Sequence, residues 1–341
     1  MTQELAQNDR QTHKSYQTMK VSIVIPTKEI NDYIRESIPH ILALDYPDFE
    51  ILIFPDETSD IVFEKTALIP TGKTGPAQKR NMALRYASGD ILAFLDDDAY
   101  PKKDWLAKAV SHFESSEVAA VGGPAITPES DSFWQKVSGA VFLSKISGGN
   151  PERYLPLGDI KEVDDWPSVN LLVRKTDFAA VQGFDCSFWP GEDTKLCLDL
   201  TKKLGKKIIY DPNVVVYHHR RAGLKQHLKQ ISGYGLHRGY LAKKYRGNSL
   251  KIKYFIPSAF LISIIITWLW GLFSFWGRLF SVIIWLFYFF ALFIAFLDIK
   301  KKTKSAKISL AALPYILLTH LFYGYKFLQG FIFTKSFESK L

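Results

Sequence analysis

The sequence has little cysteine, and the two cysteines it has fit neither a zinc site nor a redox motif. Cys186 and Cys197 are the only two among 341 residues. A structural zinc site needs four ligands at short, characteristic spacings, which this pair does not provide. We predict that both are reduced, small core residues of a cytoplasmic domain.

An apolar signal-peptide core is also missing from the N-terminus. Residues 1–19 are polar and rich in Gln, Lys and Asp. We predict a flexible tail here, followed by a domain that stays in the cytoplasm.

Acidic residues are absent between Asp211 and Asp298, although the whole chain carries a net charge of +9. Lysines and arginines accumulate in this region instead, and Lys300, Lys301, Lys302 and Lys304 follow it. Basic residues that flank apolar segments indicate the cytoplasmic side of a membrane and attract anionic lipid. The positive charge therefore predicts contact with membrane lipid and not with nucleic acid.

Charge of either sign is missing from two long apolar runs, residues 254–277 and 279–297. Each is long enough to cross a hydrocarbon core of about 30 Å. A third segment, 308–333, is less apolar and either spans the bilayer or lies in its surface. We therefore predict a membrane domain over 254–334, in a multi-pass protein of the cell membrane.

The basic segment 223–253 precedes this membrane domain. Apolar residues recur on one side of the stretch 224–245, with lysines and arginines elsewhere. This pattern is typical of an amphipathic helix that lies in the membrane surface.

Short apolar runs alternate with helix-like stretches through the first half of the chain. Pro76 opens one such helix, at an early position where its missing N–H does no harm. The alternation indicates an α/β fold with a mostly parallel, Rossmann-like sheet, which we place over residues 20–222. The clearest predicted strands are 21–26, 50–54, 91–95 and 214–217.

Three consecutive aspartates, Asp96, Asp97 and Asp98, follow the predicted strand 91–95. Ligand sites in open α/β sheets lie beyond the carboxyl ends of such strands. Clustered carboxylates are costly unless they share a cation, and their oxygens suit Mg²⁺ or Mn²⁺. The alternative is a solvated acidic turn that caps the helix near Asp104.

Two further features favour a phosphate-bearing ligand at this edge of the sheet. Asp56 also follows a predicted strand, and Lys79 and Arg80 lie in the first turn of the helix that begins at Pro76. Cations oppose the helix dipole there, which a bound anion would offset. An exposed basic helix face is the alternative.

Glu192 and Asp193 precede a helical stretch over 194–204. Asp193 falls on the same stripe as Cys197 and Leu200, whereas Glu192 is rotated about 100° away. Burial beside apolar residues would raise the pKa of Asp193, which suits a general base. An ordinary acidic N-terminal cap is the alternative.

A later predicted strand, 214–217, ends in His218, His219, Arg220 and Arg221. Strand alternation lets one of the two histidines face the site and complete a metal shell. The arginines can hold a diphosphate. Histidines at the surface beside a basic run are the alternative.

These segments together resemble the family 2 glycosyltransferases, inverting enzymes with the GT-A fold. The resemblance covers residues 20–245, and the membrane tail is similar to that of polysaccharide glycosyltransferases of the succinoglycan glucosyltransferase type. It is carried by 55–60, 75–81, 87–90, 95–98 and 192–193. The segment 55–60 lacks a glycine and one aspartate of the family's usual pattern.

The resemblance implies a role for each site residue. Asp193 is implied as the catalytic base and Asp98 as a metal ligand, with His218, or alternatively His219, beside it. Asn170, Trp189 and Glu192 are implied on the acceptor side. The implied donor-binding residues are Pro26, Thr27, Glu29, Asp56, Lys79, Asp96, Arg220 and Arg221.

The expected reaction is therefore transfer of a sugar from a UDP- or GDP-sugar, with Mn²⁺ or Mg²⁺ as cofactor, to a lipid-linked or glycan acceptor. The Gln-X-X-Arg-Trp signature of processive synthases is not found, which favours single transfers. A sugar-phosphate nucleotidyltransferase is disfavoured because no glycine-rich loop follows the first strand. A non-catalytic membrane protein that binds a nucleotide sugar is the remaining alternative.

Overall fold

The computed structural model describes residues 19–187 and 190–336. The strands are β1 Val21–Pro26, β2 Phe49–Phe54, β3 Thr66–Leu68, β4 Ile91–Leu95, β5 Ala99–Pro101, β6 Val118–Gly122, β7 Ala125–Ile126, β8 Lys161–Val163, β9 Asn170–Arg174, β10 Lys207–Tyr210 and β11 Val216–His218. The helices are α1 Asp32–Leu42, α2 Pro76–Asn81, α3 Ala83–Tyr86, α4 Trp105–Val110, α5 Phe133–Ala140, α6 Lys175–Ala180, α7 Glu192–Leu198, α8 Leu224–Lys244, α9 Arg246–Ser249, α10 Ile252–Gly271, α11 Phe275–Thr303 and α12 Ala306–Leu328.

Eight strands form a central sheet in the order β3-β2-β1-β4-β9-β6-β10-β8. The pairs β3-β2, β2-β1, β1-β4 and β6-β10 are parallel, and β9 runs antiparallel between β4 and β6. The mostly parallel α/β sheet that the sequence predicts is confirmed.

Side chains of β1 alternate between two apolar layers, because successive residues of a strand point to opposite faces. Ile23 joins α1 and Trp105 on one face, and Val24 joins Phe94 and Cys197 on the other. Cys197 is fully buried, as predicted, and Cys186 is partly buried at the edge of the same layer. Both cysteines are free.

A small second sheet lies at the carboxyl edge of the first, in the order β5-β11-β7. The backbone N–H of His219, just after β11, donates to the carbonyl of Asp98 at 3.0 Å. This bond holds the segment 218–221 beside the aspartates that follow β4.

Within residues 19–187 and 190–336, three helices are long and apolar enough to cross a membrane: α10, α11 and the segment Ala306–Phe333, which is α12 and the π-helical turn after it. Three predicted boundaries were wrong. The first helix ends at Gly271, and the second already begins at Phe275, so Arg278 lies in its first turn. The second helix continues to Thr303. Lysine has a high helix propensity, and its long side chain lets the ammonium group of a residue in the last turn reach water.

Helix α12 packs against the soluble part of the chain as well as against the other apolar helices. Thr319 bonds to His227 of α8, and further along an ideal Cβ on Gly239 of α8 would lie 2.1 Å from the carbonyl oxygen of Phe327. The two helices therefore run side by side in the same direction. Ile316 of α12 also joins an apolar cluster with Val137 of α5.

Candidate active site

The turn after β4 brings the aspartates to the edge of the sheet where a ligand was predicted. Asp98 is buried, and its carboxylate lies 3.1 Å from His218 Nε2 and 3.1 Å from Arg221 Nη1. Asp96 is 30% exposed and accepts a hydrogen bond of 2.6 Å from Arg80 Nη2. These pairings are incompatible with a plain solvated turn.

Asp96, Asp98 and His218 could together hold a metal ion. One ligand atom of each lies within 4.8 Å of the others. Two carboxylate oxygens and one imidazole nitrogen form a set that fits Mn²⁺ or Mg²⁺. His218 is thus the histidine that faces the cluster.

His219 faces away from this cluster. Its Nδ1 lies 2.5 Å from Asp131 and its Nε2 lies 3.0 Å from Glu36, while the ring stacks on Tyr33. The alternative assignment of His219 as a metal ligand is therefore wrong, because both of its ring nitrogens already serve the fold.

The charges around Asp98 favour its ionised form. Burial alone would raise the pKa of this carboxyl, but His218 and Arg221 outweigh it and lower the pKa to about 2. Asp98 therefore offers an anionic ligand at physiological pH.

Asp97 has a structural role that could not be predicted from the sequence. Its carboxylate accepts from Thr27 Oγ1 at 2.8 Å and from Asn31 Nδ2 at 3.0 Å. Burial and the neighbouring Asp98 raise its pKa. Asp97 thus connects the loop after β1 to the metal turn, the turn after β4 that carries Asp96 and Asp98.

Lys79 and Asp56 meet at the predicted donor side. Lys79 Nζ donates to the carbonyl of Thr27 and forms an ion pair with Asp56. Lys79 is almost fully buried, so the alternative of an exposed basic helix face is wrong. Pro26 and Thr27 are buried at the end of β1, whereas Glu29 is exposed and its carbonyl accepts from Thr27.

Arg80 is a site residue that was missing from the sequence-based assignment. Its guanidinium donates to Asp96 and, at 3.1 Å, to Glu192 Oε1. One buried cation therefore joins the metal side to the N-terminus of α7. The sequence feature that could have identified Arg80 is its position next to Lys79, in a helix expected to bind phosphate.

Glu192 and Asp193 are oriented differently from the prediction. The helix begins at Glu192, which is buried against Arg80, whereas Asp193 is less buried and lines a cavity. The apolar stripe predicted that Asp193 is buried and that Glu192 is turned away. That pattern takes no account of Arg80, whose charge favours burial of Glu192. Burial raises the pKa of both carboxyls, with Asp193 adding to the effect on Glu192 and Asp165 to that on Asp193.

Two predicted site residues serve the protein interior instead. Asn170 is fully buried, donates to the carbonyls of Pro124 and Val214, and accepts from Trp105. It therefore does not line an acceptor site.

Arg220 is also turned inward. It donates to the carbonyl of Ala125 and to Thr127 Oγ1, and burial lowers its pKa. Of the two arginines, Arg221 is the one that pairs with Asp98, while Arg220 Nη1 lies 3.0 Å from His218 Nδ1 and so contacts the cluster from the interior side. Trp189 lies outside the described residues.

A cavity of about 500 Å³ lies between the α/β domain and the apolar helices. Asp193 lines it near Arg238 of α8, and Phe260 of α10 and Tyr288 of α11 line it on the membrane side. A carboxylate with a raised pKa thus faces a space that is continuous with the membrane helices.

The chain is similar to known glycosyltransferases along nearly its whole length. It is 27% identical over 333 residues, 92% of this chain and 97% of the relative, to the dolichyl N-acetyl-alpha-D-glucosaminyl phosphate 3-beta-D-2,3-diacetamido-2,3-dideoxy-beta-D-glucuronosyltransferase of Methanococcus voltae. It is 24% identical over 222 residues, 59% of this chain and 69% of the relative, to the glucosyl-dolichyl phosphate glucuronosyltransferase of Haloferax volcanii.

A solved structure has the same fold. The mannosyltransferase PcManGT from Pyrobaculum calidifontis, in complex with GDP-Man and Mn²⁺, superposes with a TM-score of 0.57 at 17% identity, covering 94% of this chain and 89% of that one. The chain therefore contains a region, residues 22–176, that matches the Glycosyl transferase family 2, and it has the GT-A fold.

Proposed function

We propose that this protein transfers a single sugar, with inversion, from a nucleotide sugar to a hydroxyl of a lipid-linked acceptor at the cytoplasmic face of the cell membrane. The observation that carries the proposal is the cavity that joins Asp193 to the membrane helices. A soluble acceptor would not need a catalytic carboxylate at that position. The Methanococcus voltae relative is named for a dolichyl sugar phosphate, which supports the same acceptor class.

The donor would bind on the side of Glu192 and Asp193 that lies away from this cavity. For the nucleoside, Asp56 follows β2 and pairs with Lys79 of α2, which also reaches the carbonyl of Thr27 after β1. Asp96, Asp98 and His218 would be the ligand set for the metal. The metal, when bound, would stabilise the negative charge that develops on the departing nucleoside diphosphate. A UDP- or GDP-sugar is the expected donor, and Mn²⁺ or Mg²⁺ the expected cofactor.

The chain's own residues supply the remaining steps. Asp193 accepts the proton of the acceptor hydroxyl, whose oxygen forms the new bond to the anomeric carbon while the bond to the diphosphate breaks. The raised pKa makes Asp193 a stronger base than an exposed aspartate. Arg221 is half exposed beside Asp98, and its guanidinium group can donate hydrogen bonds to the leaving diphosphate.

The proposed membrane arrangement rests on the basic ends of the helices. Lys251 and Lys253 lie at the start of α10, and Lys300, Lys301 and Lys302 in the last turns of α11. A hairpin of two spanning helices would bring both ends to the cytoplasmic side, as the positive-inside rule requires. We assign α8 and α12 to the membrane surface, because α12 packs on α8 and α5 for much of its length.

The experiment uses the full chain in nanodiscs with Mn²⁺, a panel of UDP- and GDP-sugars, and polyprenyl-diphosphate-linked sugars as acceptors. Mass spectrometry should find one added sugar on the lipid, with inverted anomeric configuration by NMR. Asp193→Asn should bind the donor but form product at least about 10²-fold more slowly. Transfer only to soluble acceptors, or equal turnover by Asp193→Asn, would contradict the proposal.

A further inference from the structure

The cavity beside Asp193 is strongly cationic for a space that opens toward apolar helices. Asp193 is the one carboxylate among its lining residues in the described part of the chain. Four cations line it as well: Lys145, Arg153, Arg238 and Lys253. Cations at the border of a hydrophobic space favour a ligand that combines an anionic group with an apolar chain.

Two of these cations are already partly neutralised. Arg153 and Arg238 both donate to the buried carboxylate of Asp165, at 3.1 Å and 3.0 Å. One carboxylate shared by two guanidinium groups leaves an excess of positive charge at this wall. That excess faces the same space as Lys253.

Lys253 stands at the mouth of the cavity. It lies in the first turn of α10, and its Nζ donates to the neutral amide oxygen of Asn150 at 2.8 Å. Arg153 and Lys251 add further positive charge close to it. An anion bound here would relieve this repulsion between cations.

A second basic depression adjoins the cavity at this point. It has a volume of about 680 Å³ and shares Asn150, Arg153, Lys253 and Tyr254 with the first. Because α10 begins here, the shared wall lies at the level where an apolar helix leaves the bilayer. An anionic group joined to a membrane-embedded chain would reach it directly.

We propose that Lys253, together with Arg153 and Lys145, binds the phosphate that links the acceptor's sugar to its lipid. This inference rests on the proposed function, and it adds an anion site that is separate from the donor's diphosphate. The donor side is marked by Asp98, His218 and Arg221. The acceptor's chain would then run past Ile256 and Phe260 of α10.

The test measures kcat/KM with three acceptors that carry the same sugar and the same prenyl chain, joined by a diphosphate, by a monophosphate or by a neutral ether. The protein is the full chain in nanodiscs of phosphatidylcholine, so that no anionic bulk lipid competes. Lys253→Gln should lower kcat/KM about tenfold for both phosphate-linked acceptors, as expected for one lost charge-assisted contact. It should leave the neutral acceptor and the donor KM unchanged.

Two variants serve as controls. Lys253→Arg keeps the charge and should retain most of the activity, and Lys301→Gln removes an exposed juxtamembrane charge outside the cavity and should have no effect. An equal loss with the neutral acceptor, or no loss with the phosphate-linked ones, would overturn the proposal. Loss of the Lys253→Gln effect on adding anionic phospholipid would assign the site to bulk headgroups and would also overturn it.

Direct binding separates this inference from the proposed function. Farnesyl diphosphate should bind the wild-type protein more tightly than the Lys253→Gln variant in calorimetry without any donor. If that difference is found while no lipid acceptor receives sugar, the anion site stands and the proposed reaction fails. Equal binding by both proteins would refute the site itself.

Discussion

Arg238 of α8 donates a hydrogen bond of 3.0 Å to Asp165, which lies in the loop between β8 and β9. The same carboxylate accepts from Thr194 Oγ1 at 3.0 Å, one residue beyond Asp193. Asp165 therefore connects the helix next to the membrane with the N-terminus of the helix that carries the proposed base. The contact gives the membrane-side helix a direct influence on the charge of the active site.

Asp165→Asn should lower the pKa of Asp193. Burial raises that pKa most, and the negative charge of Asp165 raises it further, whereas Arg238 and Arg153 lower it. Without the charge of Asp165, the two arginines would offset more of the effect of burial. A base is active when deprotonated, and the acid limb of the kcat/KM profile should therefore move to lower pH. Two buried arginines left without their carboxylate should also cost about 3 kcal/mol of stability.

Asp164→Asn is the matched control for this experiment. Asp164 is more exposed and accepts from Lys251 at 2.6 Å, outside the contact with Thr194. Its pH profile should match the wild type. An unmoved acid limb in a folded Asp165→Asn protein would show that Asp165 does not tune the base.

The strand ends could be predicted from sequence, whereas the pairings across the crevice could not. Five consecutive apolar residues before Asp96 define β4 by themselves, because a central strand of such a sheet is buried on both faces. The orientation of Glu192 depends on Arg80, which is 112 residues away in sequence. Local periodicity contains no information about such a partner.

The same limit explains the misassigned Asn170. A polar residue at the first position of a strand could line an exposed acceptor site. It could equally be buried and hydrogen-bond to the backbone of neighbouring loops. The choice depends on Trp105 and on the carbonyl of Val214, both distant in sequence. The third apolar segment was undecided for a related reason, since its partners on α5 and α8 are also non-local.

Asp193→Asn should reduce kcat by about 10²–10⁴-fold, the usual contribution of a general base. The donor KM should change little, because Asp193 lines the cavity and not the metal cluster. Glu192→Gln keeps a hydrogen-bond acceptor for Arg80 and should lose less. Single-turnover kinetics measure both variants, and the reverse order would assign the base to Glu192.

His218→Ala should weaken Mn²⁺ binding at least ~10-fold, since the loss of outer-shell partners alone has effects of that size. The physical reason is the removal of one of three candidate ligands. Removal of metal with EDTA should abolish transfer by the wild type, and added Mn²⁺ should restore it. Paramagnetic relaxation by Mn²⁺ gives the affinity.

His40→Asn is the control for that series. His40 of α1 stacks on Tyr100 of β5 and lies outside the candidate ligand set. Its Mn²⁺ affinity should equal that of the wild type. An unchanged affinity in His218→Ala would remove His218 from the metal site.

Asp97→Ala should destabilise the protein by about 1–3 kcal/mol, because the Asn31 amide loses its acceptor and the Thr27 hydroxyl keeps only the carbonyl of Glu29. Asp97→Asn keeps one oxygen at the same place and should lose less. Chemical denaturation measures the difference between the two. Metal affinity should fall less in Asp97→Asn than in Asp98→Asn, and the opposite order would make Asp97 a ligand.

Gly239→Ala should loosen the contact between α8 and α12. A Cβ at this position would lie 2.1 Å from the carbonyl oxygen of Phe327 and 2.9 Å from the N of Phe331, and neither backbone can move without shifting the helix. Gly233 lies on the same helix, where a Cβ would have its nearest neighbour, Pro190 Cγ, at 3.8 Å.

Gly233→Ala should therefore be neutral or stabilise by about 0.5–1 kcal/mol, since alanine favours helices over glycine. The two substitutions add the same methyl group to one helix, so intrinsic helix propensity cancels between them. Thermal unfolding in nanodiscs should rank Gly233→Ala above the wild type and Gly239→Ala below it. Equal melting temperatures for the two variants would mean that α12 does not depend on close contact with α8, and the placement of both helices under the catalytic domain would have to be abandoned.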